Sequence, residues 1–266
     1  MTALITGATT GIGRAFALAL AAEGHAVTAV ARTERHLRAL VAELGPGGSD
    51  GEHTYLVADL ATPEGVRTVT DALTATPYDL LINNAGLARP GPFAETPLDP
   101  ALPALRLNCE AVVALAHAFL TTARHGAALV NVASTLAFAP QPGNAVYSAT
   151  KAFVASFSEA LWHEQKPCGV YVMALCPGPI ATRPGLHADI PAALVRPPEA
   201  VVAALTALRR RRRPTVVPGR ANALLAAMTR FLPRATALSL LADGPGATAP
   251  PRAGSEGDGP DGHHPA

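Results

Sequence analysis

A β-prone run, Thr2-Ala3-Leu4-Ile5-Thr6, breaks directly into Gly7-Ala8-Thr9-Thr10-Gly11-Ile12-Gly13, and a helix-forming stretch follows over residues 14–23. Glycines at 7, 11 and 13 admit backbone conformations and close approach that a side chain would block. Free N–H groups at the start of the following helix favour an anion at that place. A strand, a glycine turn and a helix in this order therefore point to a phosphate-bearing ligand on the turn, with Gly7, Thr9, Thr10, Gly11, Ile12 and Gly13 around it.

The same alternation continues. Strands are predicted over residues 25–31, 54–58, 79–84, 129–133, 170–175 and 214–219, with helices over 35–44, 62–74, 105–122, 146–166 and 199–208. Alternating strands and helices predict an α/β fold, a doubly wound parallel sheet with helices on both faces and a ligand crevice at the carboxyl ends of the strands. A chain of 266 residues suits one such domain, expected over residues 1–220. Residues 221–242 read as an amphipathic helical extension, and 243–266, rich in Gly, Pro, Ala and Asp, as a disordered tail.

Composition narrows the function classes. A formal net charge of +1 with 15% charged residues gives no global field for nucleic acid. Cys109, Cys168 and Cys176 are odd in number and widely spaced, which suits neither zinc nor a disulfide framework. They read as buried small apolar residues of a reducing compartment. Two histidines near the end, His263 and His264, do not make a metal site. The N-terminus shows no basic, apolar and small-residue leader, and no apolar run reaches the length of a membrane span, so a cytoplasmic location is expected.

The chemistry centres on Tyr147-Ser148-Ala149-Thr150-Lys151. On a helix, residues four apart share a face, so the Lys151 ammonium can sit beneath the Tyr147 phenol. A nearby cation lowers a phenol's pKa from its ordinary value near 10, making it a proton donor and acceptor closer to neutral pH. Ser134, at the end of the predicted strand 129–133, can place a hydroxyl on the same substrate oxygen.

Together with Asn83-Asn84-Ala85-Gly86, Asn108 and Pro177-Gly178, the glycine turn and the Tyr-x-x-x-Lys spacing resemble the short-chain dehydrogenase/reductase family over roughly residues 2–220. The resemblance implies a Rossmann-like fold and a catalytic set of Asn108, Ser134, Tyr147 and Lys151, with Asn108 bending its helix and holding a water in a proton relay. It also implies a dinucleotide held by the glycine turn, by Asp59 and Leu60 at the adenine, by Asn84, Ala85 and Gly86 in the groove, by Tyr147 and Lys151 at the nicotinamide ribose, and by Pro177, Gly178, Ile180 and Thr182 at the carboxamide. Helix capping is the alternative for Asp59, and a structural role for the asparagines of 83–86.

After the second strand, an acid would bind a ribose 2′-hydroxyl and an arginine would accommodate a 2′-phosphate. Arg32 stands there, with Glu34 past the expected place, so NADP(H) is preferred over NAD(H). Thr10 departs from the basic residue that many NADP-preferring relatives carry. Residues 178–198 read as a substrate lid, and Leu136, Phe138 and Gln141 as substrate contacts. Arg209 to Arg213 read as a solvated helix end rather than a nucleic-acid or lipid site. The segment 222–241, with Leu224, Leu225, Met228, Phe231 and Leu232, reads as packing on the lid or a dimer interface in preference to peripheral membrane contact.

The expectation is thus an NADP(H)-dependent oxidoreductase that reduces a moderately apolar ketone or aldehyde, a ketoacyl group included, as a homo-oligomer (dimer or tetramer) with no nucleic-acid partner. The alternatives are an NAD(H)-dependent alcohol dehydrogenase of the same family and a non-catalytic NADP(H)-sensing regulator.

Overall fold

Strands that are apolar at consecutive positions need cover on both faces, and the parallel sheet this chain builds has it. The computed structural model describes residues 1–99, 101–181, 190, 194–202, 204–229 and 231–242. Strands β1 (Thr2–Thr6), β2 (Ala26–Ala31), β3 (Thr54–Val57), β4 (Leu80–Asn83), β5 (Ala128–Val132), β6 (Tyr171–Leu175) and β7 (Thr215–Val216) form one sheet in the order β3-β2-β1-β4-β5-β6-β7, parallel throughout. The chain reverses its direction of winding between β1 and β4, which opens a crevice at their carboxyl ends.

Helices α1 (Gly11–Ala22) and α2 (Glu34–Leu44) bury Phe16, Leu20, Leu37 and Leu40 on one face of the sheet. On the other, α3 (Pro63–Ala75) and α5 (Ala111–Thr122) bury Val69, Leu73, Leu115 and Phe119, and α6 (Ala145–Glu164) adds Val154. A polar pin crosses this second layer. Asn83 donates to Asn131 Oδ1 at 2.9 Å, Asn131 donates to Ser158 Oγ at 3.0 Å, and Ser158 donates to the Val154 carbonyl at 2.7 Å. All three side chains are buried, so each bond replaces one lost to water and fixes α6 against β5.

The helix expected over residues 105–122 is present and starts earlier: α4 (Ala101–Leu105) runs through a π-helical turn, Arg106–Glu110, which contains Asn108, into α5. Two expectations are corrected. The stretch Ala101–Thr122 is also long and apolar enough to cross a membrane by length and composition, contrary to the sequence reading, although α5 packs in the core. Of the cysteines only Cys176 is fully buried; Cys109 is half-buried and Cys168 exposed.

The C-terminal part forms α7 (Glu199–Val202), α8 (Ala204–Arg210), α9 (Arg220–Met228) and α10 (Arg234–Ala242). Helix α9 turns Asn222 and Ala226 inward and leaves Leu224, Leu225 and Met228 largely exposed. Most of the expected lid and the tail 243–266 lie outside the described residues.

Candidate active site

The turn after β1 uses left-handed backbone at Gly7 (φ 63°) and Gly11 (φ 54°), conformations that glycine adopts without steric cost. A Cβ on Gly13 would stand 2.4 Å from the Gly7 carbonyl oxygen, so only glycine lets α1 start this close to the turn. Asn84 donates to the carbonyls of Thr6 (2.9 Å) and Gly7 (3.3 Å), while the N–H groups of Asn84 and Ala85 both donate to Thr6 Oγ1 at 2.9 Å. The Asn84 amide N–H therefore shapes the turn. Thr6, its partner, escaped the sequence reading.

At the N-terminus of α1 the Thr10 side chain makes no cap and the first turn holds no acid. The positive end of the helix is left uncompensated, flanked by half-buried Thr9 and Ile12, which is what a bound pyrophosphate requires.

Beyond β2, Arg32 is exposed and makes no ion pair among the described residues. The nearby acid is already engaged: Glu34 accepts from Arg38 at 2.7 Å and from the Tyr55 hydroxyl at 3.1 Å, and the Arg38 hydrogen bond holds its carboxyl below the ordinary carboxylate range. Asp59 is half-buried and accepts from the Ala61 N–H at 3.0 Å, next to buried Leu60. The cap of α3 is Thr62, which accepts from Gly65 N at 3.1 Å, so Asp59 is not spent on capping.

At the end of β5, Ser134 Oγ accepts from the Leu136 N–H at 3.2 Å and lies within hydrogen-bonding reach of the Tyr147 phenol. Tyr147 occupies the first turn of α6, and the Thr150 hydroxyl donates to its carbonyl at 2.8 Å. Buried in the π turn, Asn108 donates to Thr150 Oγ1 (3.0 Å) and to the Leu87 carbonyl (2.9 Å), and accepts from the Leu87 N–H (2.9 Å). Asn108 is thus joined to Tyr147 through Thr150, a residue the sequence reading passed over.

Lys151 is buried, donates to the Val132 carbonyl at 2.7 Å, and has its Nζ 5.6 Å from the centre of the Tyr147 ring. Burial, with no carboxylate in ion-pair contact among the described residues, pulls its pKa down to about 8, against a smaller opposing pull from Cys176 and Cys109. The expectation of a more acidic phenol is corrected as well. Burial pushes the Tyr147 pKa up, and the Ser134 hydroxyl draws it back only in part. Desolvating a phenolate outweighs the single hydrogen bond that stabilises it.

A Cβ on Gly86 would come within 3.4 Å of both Asn108 Oδ1 and Lys151 Nζ, and one on Gly7 within 3.0 Å of the Ala85 Cα. Bare backbone at 85–86 therefore connects the glycine turn to the Lys151 ammonium, so one crevice holds both.

On the far wall the Pro177 carbonyl accepts from Thr135 N at 2.9 Å, and Ile180 pairs with Arg196. Gly178 lies against Asn222, whose side chain a Cβ there would meet at 2.6 Å, and Asn222 donates to the Leu194 carbonyl at 3.2 Å. Asn222 was missed too; a lone amide in an apolar segment was its only signal. Thr182 lies outside the described residues. Leu136 and half-buried Phe138 follow Ser134 on a short 3-10 turn, whereas Gln141 accepts from Asn144 at 3.0 Å in the loop that leads into α6.

A family profile described as short chain dehydrogenase matches residues 1–187. A short chain dehydrogenase of Pseudocercospora fijiensis is 34% identical over 71% of this chain and 62% of its own length. A very-long-chain 3-oxoacyl-CoA reductase of Phaeosphaeria nodorum is 36% identical over 65% of this chain and 53% of its own. The chain thus spans between about half and two thirds of these relatives. The solved short-chain dehydrogenase of Sphingobium yanoikuyae in complex with NADPH superposes with a TM-score of 0.74 at 33% identity, covering 94% of this chain and 99% of that one.

Proposed function

Because this chain belongs to the short chain dehydrogenase family, we propose that it is an NADP(H)-dependent reductase of a moderately apolar ketone or aldehyde, 3-ketoacyl groups included. The observation that carries the reading is the continuity from Gly7 through Ala85 and Gly86 to Lys151, which puts a phosphate-binding turn and a Tyr-Ser-Lys set in one crevice.

The residues fit a bound dinucleotide: the 7–13 turn and the start of α1 for the pyrophosphate, Arg32 for a 2′-phosphate, Asp59 and Leu60 at the adenine, Asn84 to Gly86 along the groove, and Lys151, Pro177, Gly178 and Ile180 toward the nicotinamide. When bound, the reduced nicotinamide supplies a hydride, and the remaining chemistry is proton management by the protein. Tyr147 gives its phenolic proton to the carbonyl oxygen as the carbon is reduced, so carbonyl, hydride and proton make the alcohol. Ser134 donates a hydrogen bond to the same oxygen and holds it at the phenol. Lys151 keeps a positive charge beside the phenolate that results. Asn108 and Thr150 hold the first turn of α6, and so Tyr147, in place.

The preference for NADP(H) is supported by an exposed Arg32 and a Glu34 already occupied, and by the NADPH complex of the Sphingobium relative. The name of the Phaeosphaeria relative supports a ketone beside an acyl chain. The test is a panel of ketones, aldehydes and 3-ketoacyl thioesters with NADPH and NADH, for wild type and Tyr147→Phe. Oxidation of NADPH by wild type alone is expected; consumption of neither cofactor across the panel refutes the reading.

A further inference from the structure

We propose that the segment 200–242 seats this protein on an anionic membrane surface. Two independent features coincide there. Leu224, Leu225 and Met228 fall at spacings that place them on one side of α9, Phe231 follows in a turn just after it, and all four are exposed, Phe231 to 88%. The inward side carries Asn222 and Ala226, so the amphipathic helix presents its bulky side to solvent. An apolar stripe of this kind marks a surface that something covers.

The second feature is charge. Residues 200–242 hold eight arginines and no lysine, aspartate or glutamate. The remaining 13 basic residues lie elsewhere with all 20 acidic ones, so the excess is local to this segment. Within the run of five, Arg209 pairs with Glu23 at 2.5 Å and Arg211 donates to the Gly126 carbonyl. Among the described residues Arg210, Arg212 and Arg213 make no ion pair, and with Ala223, Ala226 and Phe231 they line a cleft of about 740 Å³ to which no described carboxylate contributes. The cleft reaches the apolar side chains at Phe231, while Leu224, Leu225 and Met228 lie outside its lining.

Charge selects the occupant. A two-fold interface sets a patch against its own copy, so a second chain would bring the unpaired Arg210, Arg212 and Arg213 toward their own copies with no acidic residue in the segment to offset them. A nucleic acid would use the arginines and leave the leucines wet. The tail 243–266 contains no Leu, Ile, Val, Met or aromatic residue with which to cover the stripe. An anionic bilayer satisfies both features, since phosphate headgroups attract arginines and the interface takes up exposed apolar side chains.

Docking would bring the crevice with it. Asn222 of α9 holds Leu194 and lies against Gly178, and Arg234 of α10 donates to the Phe138 carbonyl at 2.9 Å. Supply of an apolar substrate from the bilayer to the crevice rests on the reductase reading; the docking does not.

The experiment is co-sedimentation of the full chain with phosphatidylcholine vesicles, with and without phosphatidylglycerol, at low and high salt and without substrate. Binding is expected only with phosphatidylglycerol, weakened at least about tenfold by high salt. Leu225→Ser with Phe231→Ser, and Arg210→Gln with Arg212→Gln and Arg213→Gln, should each weaken it about tenfold or more while NADPH affinity and melting temperature stay unchanged. Absence of wild-type binding, equal binding to both vesicle types, or unaltered binding by both variants overturns the proposal. So does a dimer in sedimentation velocity that the Leu225/Phe231 variant dissociates, which would assign the stripe to a second copy, or capture on an acidic protein with no vesicle binding.

Discussion

The Lys151 ammonium sits over the Tyr147 ring, 5.6 Å from its centre, with the Val132 carbonyl as its hydrogen-bond acceptor at 2.7 Å. A buried cation held this way costs stability that function retains. In the unfolded chain the amine keeps its proton to about 10.5, whereas in the folded protein it releases it near 8. Between those values the unfolded state binds more protons, so folding is favoured as pH rises. Below about 8 the full cost applies, roughly 3–4 kcal/mol at 1.4 kcal/mol per unit. Lys151→Met should therefore stabilise the fold at pH 7 by about 1–3 kcal/mol, with the gain shrinking toward pH 10 and turnover abolished. Denaturant titrations at pH 7 and pH 10 measure both; a variant less stable than wild type at pH 7 contradicts the account.

Tyr147→Phe removes the proton donor and keeps the ring. Single-turnover oxidation of NADPH with an active ketone should slow by roughly 10²–10⁴, far more than NADPH binding weakens. Stopped-flow fluorescence separates the two quantities, and an unaltered rate would remove Tyr147 from the mechanism.

Thr150 joins Asn108 to the Tyr147 carbonyl. Thr150→Val keeps the shape and loses both hydrogen bonds, which should cost about 1–2 kcal/mol of stability and lower kcat about tenfold with KM little changed. Thr150→Ser should restore kcat. A purely structural role would give the stability loss without the change in kcat.

Two substitutions divide the cofactor groove by chemistry. Gly13→Ala would place its Cβ 2.4 Å from the Gly7 oxygen, so binding of NADPH and NADH should fall together. Arg32→Ala should weaken NADPH by roughly 10- to 100-fold, the worth of a charged hydrogen bond, and leave NADH unchanged. Equal effects of Arg32→Ala on both cofactors, measured by fluorescence titration, would place the 2′-phosphate elsewhere.

The α/β order, the glycine turn and the Tyr147–Lys151 pair were legible because each is local: a strand ending in glycine, a helix carrying two residues one turn apart. What was hidden depends on contacts far along the chain. Thr6 matters through Asn84, 78 residues away, and Asn222 through Leu194 and Gly178. The direction of the Tyr147 shift follows from burial, which helix periodicity does not report. The exposed side of α9 was hidden for the same reason: periodicity finds an apolar stripe but not which side the body takes. The five arginines look equivalent in sequence, and only folding divides them between partners at Glu23 and Gly126 and an open cleft.

Ser158 hangs α6 on Asn131 two turns below Lys151, deep under the sheet. The phase of the helix is thus fixed at two places, by that hook in the core and by Asn108 through Thr150 at the crevice. With its far end held in the core, α6 should tolerate exchange of the Leu136 and Phe138 side chains beside Ser134, changing which ketones react while Tyr147 keeps its place.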